Sequence, residues 1–526
     1  MDQQTHDAGR MLAALCNSDA YDHPAAKIVH LHTHISDIFL AGEYAYKIKK
    51  PVDFGFLDFT TPEKRLRACR DEVRLNSRLA PQIYLGVVPI YLSGGGYHVG
   101  DMTQTIYSRV VDYAVWMTRM PEDGMLDRVA AAGGLRREHM LDIAHQMAQF
   151  HATAERNADI DRFGGMQGIR NHVRQNFGQT KRFIDYSITR TQFEYLKDYM
   201  EGYMRTHDLL FSARVSASRV VDGHGDLHLR NMCLYREKVI IFDCIEFNPQ
   251  LRACDVIGDI AFLTMDLDAR HLPGLGNNFL NAYLEETGDY AGLGMLDFYQ
   301  SYRAYVRGKV ASFLLLDASN ETERANAMRE AKGYFDLAQS YLSGGTGGLL
   351  ITCGPSASGK TTVASQIAET MRGIAVRSDA VRKQLAGVAL QQTNSTPYQR
   401  GIYSVEMTKR TYRSLLDKAR AIIDSGRWAI LDATFAQRAQ RLEAEALAHS
   451  LGTGFGIIYC TASRSELANR LDKRSRLHLD ISDATQEVLD EQLRRFEAPQ
   501  PDEGPIFQWT GTEDVGPWLV GLSRAS

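Results

Sequence analysis

The segment Gly354-Pro355-Ser356-Ala357-Ser358-Gly359-Lys360-Thr361 constrains this chain more than any other feature. It fits G-x-x-x-x-G-K-[ST] at every fixed position. The apolar run 349–353 precedes it and a helical pattern follows, which is the strand–loop–helix context the motif requires. Glycines let the backbone curl until successive N–H groups face one anion, and the helix that follows aims its positive end at the same point. Lys360 neutralises β/γ-phosphates, and the Thr361 hydroxyl suits Mg²⁺. Gly354, Ser358, Gly359, Lys360, Thr361 and Thr362 are therefore candidate ATP-binding residues.

Downstream, strands and helices alternate. Residues 349–353, 374–378, 428–432, 455–460 and 506–510 read as strands, the rhythm of a parallel sheet wrapped by helices. Asp379 and Arg382 lie about one helical turn apart after the second strand. The acid can accept a proton from an attacking hydroxyl and the guanidinium can hold an acceptor's charge. The same spacing suits an N-cap aspartate with an i+3 ion-pair partner. Asp432 ends a buried strand, where it can contact Mg²⁺ or a substrate. Arg470 and Arg474 face one way on a predicted helix, as lid arginines or as a solvated basic face. On GPSASGKT, SDAVR, ILDATF and the Arg470/Arg474 pair, residues 349–500 resemble the small P-loop kinases that include polynucleotide 5′-kinase, adenylylsulfate kinase and gluconate kinase. That resemblance implies phosphoryl transfer, with Asp379 as base and Arg382 as phosphate or acceptor ligand.

A second constellation lies upstream, in His224-Gly225-Asp226-Leu227-His228-Leu229-Arg230-Asn231. A predicted strand follows and ends in Asp243. An Asp, an Asn five residues on and a strand-terminal Asp supply one base, Asp226, and two Mg²⁺ ligands, Asn231 and Asp243. The strand Tyr44-Ala45-Tyr46-Lys47 places Lys47 where a lysine could hold α/β-phosphates, with Lys49 and Lys50 as rivals. Glu72 in the next helix is its expected ion-pair partner, with Glu63 as rival. Residues 25–340 resemble the aminoglycoside phosphotransferase family, small-molecule kinases on a protein-kinase-like fold. Two departures stand out. There is no G-x-G-x-x-G, the corresponding turn being His32–Asp37, and Cys244 rather than Phe-Gly follows Asp243. The short stretch from Asp243 to Asp255 and Asp259 leaves no room for a long activation loop, so small acceptors fit better than peptides. Asp255 and Asp259 are expected to be structural.

The expected fold is thus multidomain: an α+β protein-kinase-like bilobal domain, then an α/β P-loop NTPase domain with a parallel sheet. A chain of 526 residues exceeds one hydrophobic core. The first domain is expected over residues 1–342, with a small lobe at about 25–120 and a helical lobe at 121–342. A Gly-rich linker occupies 343–348 and the second domain 349–526. Seven scattered cysteines without C-x-x-C argue against disulfides and zinc ribbons. With no signal-peptide pattern or long apolar run, a cytoplasmic enzyme without membrane contact is expected. The net charge of −4 disfavours nucleic acid as a partner. Small-molecule acceptors are expected instead, and the sequence does not fix the oligomeric state.

Three features remain outside this scheme. His30, His32 and His34 would share one strand face and could bind zinc, or His34 could contact a phosphate, but no fourth metal ligand is evident and ordinary packing is favoured. His151 ends an apolar helical stripe and reads as a core histidine. The run Lys409-Arg410-Thr411-Tyr412-Arg413 could touch a nucleic-acid backbone, but a solvated helix face is favoured. The functional expectation is a bifunctional kinase with two Mg·ATP sites. The alternatives are a 5′-hydroxyl nucleic-acid kinase in the C-terminal domain, or a nucleotide-sensing protein with one catalytic domain.

Overall fold

The computed structural model describes residues 9–53, 55, 57–100, 109–390, 392, 401–477 and 486–525. The chain forms two compact units, Met1–Arg174 with Met204–Leu263, and Gln175–Tyr203 with Thr264–Ser526.

The first unit opens on a six-stranded antiparallel sheet. Its strands are β1 (Ile28–His32), β2 (Ser36–Ala41), β3 (Tyr44–Lys49), β4 (Tyr84–Ser93), β5 (Gly96–Val99) and β6 (Arg109–Thr118), in the order β1-β2-β3-β6-β4-β5. Alternation along β3 sorts its side chains. Tyr46 and Ile48 join Phe39, Ile90, Val99 and Ala114 in a core with Met11 and Leu15. Ala45 joins Cys69, Ile83, Val115 and Met117 on the other face, under the helix Pro62–Asn76. That helix starts where the sequence signals it. Thr61 caps it by accepting from Lys64 N, and Pro62 follows at a position needing no N–H. The cap contributes about 1 kcal/mol.

A helical lobe follows. In the helix Arg137–Thr153, Met140, Ile143, Ala144 and Met147 are fully buried at helical spacing. Two short ribbons carry the loops that matter. β7 (Val220–Asp222) pairs with β10 (Ala253–Asp255), and β8 (Met232–Tyr235) with β9 (Lys238–Ile241). The strand-rich lobe followed by a helical lobe matches the kinase-like expectation.

In the second unit, β11 (Gly348–Cys353), β12 (Ile374–Arg377), β13 (Trp428–Asp432), β14 (Gly454–Cys460) and β15 (Ile506–Trp509) form a parallel sheet ordered β12-β13-β11-β14-β15. Every residue of β11 is buried, as an unbroken apolar run in a central parallel strand should be. The helix Pro273–Thr287 packs in the same unit, beside the β12 edge. Asn281 Oδ1 accepts from Ala375 N at 2.7 Å, and Asn277 Nδ2 donates to Ala368 O at 2.7 Å. One side-chain amide thus satisfies an edge-strand N–H and the other a carbonyl near the C-terminus of the helix Lys360–Met371. The glycines before β11 allow close contact: a Cβ on Gly345 would lie 2.4 Å from Gly426 O, and one on Gly347 would lie 2.7 Å from Arg427 O. Among the described residues, no helix is long and apolar enough to cross a membrane.

Candidate active sites

In the first unit, Lys47 and Lys49 leave β3 on the same face, so both reach the helix Pro62–Asn76. Lys47 Nζ lies 2.9 Å from Glu72 and 2.6 Å from Asp243. Lys49 Nζ lies 2.5 Å from the other Glu72 oxygen and also pairs with Glu246. Exposure separates the two lysines. Lys49 and Glu72 are sealed at 0%, whereas Lys47 is 12% and Asp243 38% exposed. Lys47 therefore borders the solvent-reached side of the cluster and Lys49 braces it from within. Lys50 turns away to Thr33 O at 2.6 Å, and Glu63 is exposed in the first helical turn. Burial pushes the Glu72 carboxyl up, but both ammonium groups outweigh it and hold the acid well below the usual carboxylate range. Burial alone would lower Lys47, yet Asp243 and Glu72 raise it well above an ordinary lysine.

The loop between β7 and β8 carries Asp226. Asn231 Nδ2 donates to Asp226 Oδ2 at 3.0 Å and to Asp243 O at 3.4 Å, and His228 Nε2 lies 3.3 Å from Asp226. Asp226, Asn231 and Asp243 thus meet, as the sequence pattern requires. Asp243 adopts φ +61°, a left-handed conformation costly for a non-glycine residue and typical of functional sites. The loop is held from below. Asp259 accepts from His224 N at 2.7 Å and Gly225 N at 2.9 Å, and lies 3.2 Å from His151 Nε2. Burial opposes the Asp259 charge, but these partners hold its carboxyl well below the usual range. Burial lowers the His224 imidazole and keeps it neutral near neutral pH. Asp255 takes both ends of a fork from Arg214, at 2.8 Å each. Asp255, Asp259 and His151 are structural here, as expected.

The second site is a cleft of about 1280 Å³ at the C-terminal ends of β11, β12 and β13. The loop 354–359 owes its shape to its glycines. Gly359 has φ +95°, and a Cβ there would lie 2.4 Å from the Trp509 ring. Gly354 has φ +142°, and a Cβ would lie 2.3 Å from Cys460 O. Lys360 opens the next helix and folds over the loop to Pro355 O at 2.7 Å. Burial pulls its ammonium below the usual lysine range, with Asp432 and Asp379 countering. Thr361 Oγ1 donates to Asp432 Oδ2 at 2.6 Å, and Thr352 Oγ1 supports the other oxygen at 3.3 Å. A hydroxyl and a carboxylate side by side are hard oxygen donors, the set Mg²⁺ prefers. Thr362 lines the same cleft, and the Ser358 hydroxyl is buried within the loop.

Asp379 and Arg382 both line this cleft. Arg382 Nη1 reaches Thr408 Oγ1 at 3.2 Å, and its guanidinium sits 4.9 Å over the Tyr403 ring. Arg470 Nη1 donates to Ala357 O at 3.3 Å, so this arginine does lie over the phosphate loop. The side chain of Arg474 lies outside the described residues. Two contributors had escaped sequence reasoning, and two had been read as a solvated face. Arg377 lies 3.9 Å from Asp432 and 3.4 Å from Glu285 of the helix Pro273–Thr287. Gln492 accepts from Ser356 N at 2.8 Å. Lys409 and Arg413 line the cleft wall rather than a purely solvated face, because Tyr412 between them turns inward to Thr434 at 3.1 Å. The i, i+4 spacing of the two cations was the available signal.

Comparison with known proteins bears on both halves. A family model described as AAA domain matches residues 349–499. The chain is 32% identical over 457 residues to the uncharacterized protein Rv2004c of Mycobacterium tuberculosis, covering 87% of each chain. The chain belongs to that protein's family. Among solved structures, a choline/ethanolamine kinase family protein from Mesorhizobium loti is similar at TM-score 0.38 and 11% identity, over 61% of this chain and 90% of its own. A gluconokinase from Sinorhizobium meliloti is similar at TM-score 0.23 and 18% identity, over 34% of this chain and 89% of its own. The AAA match falls on the part of the chain that carries the Gly354–Thr361 loop.

Proposed function

We propose that this protein is a bifunctional ATP-dependent phosphotransferase, each site passing the γ-phosphoryl group of Mg·ATP to a hydroxyl of a small molecule. The observation that carries this reading is the presence of two complete charge sets in one chain. One comprises Lys47, Glu72, Asp226, Asn231 and Asp243. The other comprises Lys360, Thr361, Asp379, Arg382 and Asp432. In this reading the kinase-like domain runs to residue 342 and the P-loop kinase begins at 349, where the AAA family match also begins.

At the first site Lys47 holds α/β-phosphates, positioned by Glu72. Asp226 accepts the acceptor's proton as its oxygen forms the new P–O bond and the bond to the β-phosphate breaks. At the second site the loop 354–359 and Lys360 hold the triphosphate. Asp379 takes the proton, Arg382 orients the acceptor, and Arg470 covers the phosphates from the lid side. Asn231 with Asp243, and Thr361 with Asp432, would hold Mg²⁺, which supplies charge neutralisation on the phosphates. The protein's share is positioning and a fixed field.

The Lys409 and Arg413 cations, with no charged partner among the described residues, favour a second reading for the P-loop site: phosphorylation of a nucleic-acid 5′-hydroxyl. Radiolabel transfer from ATP to a panel of sugars, aminoglycosides, nucleosides and oligonucleotides tests both. Asp226→Asn and Lys360→Met should each lose transfer to a different acceptor that wild type phosphorylates. If neither variant loses any transfer, the two-site reading is wrong. Transfer to oligonucleotides that weakens steeply with salt selects the second reading.

A further inference from the structure

We propose that His30, His32 and Asp37 form a binding site for one divalent transition-metal ion of the zinc class. The strand pairing sets His32 opposite Asp37 and His30 opposite Phe39. Phe39 pairs with Tyr46, so this cluster lies on the sheet face opposite Lys47 and Lys49. The sequence suggested His34 as third ligand. It falls in the turn, and its place is taken by Asp37 from the neighbouring strand.

Two rings and one carboxylate converge. His30 Nε2 lies 2.9 Å and His32 Nδ1 3.2 Å from the same oxygen, Asp37 Oδ1, and all three ligand atoms lie within 4.8 Å of one another. Tetrahedral zinc with bonds of about 2.0 Å sets ligand atoms about 3.3 Å apart, so the group closes on an ion with small side-chain adjustment. Two of the three ligands are held in place. Asp37 is buried, and His30 stacks on Phe39 with centroids 4.3 Å apart and planes 10° from parallel. His32 is 66% exposed, which gives the ion a path in and leaves room for water as a further ligand. Two imidazoles and one carboxylate select zinc, cobalt, nickel or iron over magnesium and calcium. Lys50 Nζ, 4.0 Å from Asp37 Oδ1, is the nearest opposing charge and is itself held by Thr33 O. A bound ion would clip β1 to β2 on either side of the turn between them.

The full-length untagged protein, stripped by a chelator and kept in excess magnesium, is titrated with Co²⁺ and followed by visible absorption. One equivalent should bind with a strong ligand-field band, without thiolate charge transfer, and Zn²⁺ should displace it. His30→Ala and His32→Ala should each weaken binding by more than about tenfold, a loss that even a supporting residue can cause at a metal centre. Asp226→Asn should leave it unchanged, which separates this site from the proposed catalysis. His32 is exposed, so its variant keeps the fold, as circular dichroism will confirm. The proposal is overturned if no saturable band appears, if the band survives in His32→Ala, or if thiolate charge transfer places the ion on cysteine.

Discussion

Glu72 is the most informative single side chain in the first unit. It is sealed from solvent and faces two buried ammonium groups, Lys47 at 2.9 Å and Lys49 at 2.5 Å. Glu72→Gln keeps its shape and removes its charge. Breaking a buried ion pair from one side costs about 3–5 kcal/mol. Here the lysines retain Asp243 and Glu246, which places the loss near the lower limit, about 3 kcal/mol. For a unit of this size that lowers Tm by roughly 6–12 °C. Lys47 also loses its orienting partner, so KM for ATP should rise with the loss of stability. Thermal unfolding by circular dichroism measures the first effect, with Glu63→Gln as the control. Glu63 sits in the same helix but is exposed, so its loss should stay within about 0.5 kcal/mol. An unchanged Tm for Glu72→Gln, or equal shifts for both variants, would refute the assignment of Glu72 as the buried anchor.

Acid should act on the same unit. Glu72 and His224 both have folded-state values below their unfolded ones, so the unfolded chain takes up protons first and stability falls as pH falls. The loss should begin below about pH 6.5 through His224 and steepen below about 4.5 through Glu72; a Tm that is flat from about pH 7 to 4 contradicts this. Arg377→Ala should slow P-loop turnover by about tenfold with little change in nucleotide affinity, because the arginine lies 3.9 Å from Asp432 and links it to Glu285. Steady-state kinetics in an Asp226→Asn background isolates that effect. Gly359→Ala forces a side chain into φ +95° and against Trp509, so binding of a fluorescent ATP analogue at that site should be lost, while thermal unfolding of the first unit is unchanged.

The parts legible in the sequence were those with local signals. β3 begins at Tyr44 and carries Lys47 as expected, because alternation marks it. The loop 354–361 declares itself through glycines whose positive φ no other residue adopts cheaply. The meeting of Asp226 and Asn231 was legible from their Asp–Asn spacing. What escaped depends on distant partners. Period-two alternation puts Lys47 and Lys49 on one face and cannot say which is sealed. Distant partners such as Glu246, 197 residues from Lys49, bear on that. Arg377 reads as an ordinary strand end until Glu285 from another helix reaches it. Asp37 completes the histidine cluster across a hairpin, so a count of alternating histidines selects His34 instead. The glycines of 344–348 read as a flexible joint from composition, whereas packing against Gly426 and Arg427 gives two of them a steric reason.

The central claim is that one chain holds two separate nucleotide sites. Equilibrium dialysis with a non-hydrolysable ATP analogue and excess magnesium tests it most directly. Wild type should bind two equivalents per chain. Lys360→Met and Lys47→Met should each bind one, and the double variant should bind none. A wild-type stoichiometry of one, abolished by a single substitution, would contradict the account.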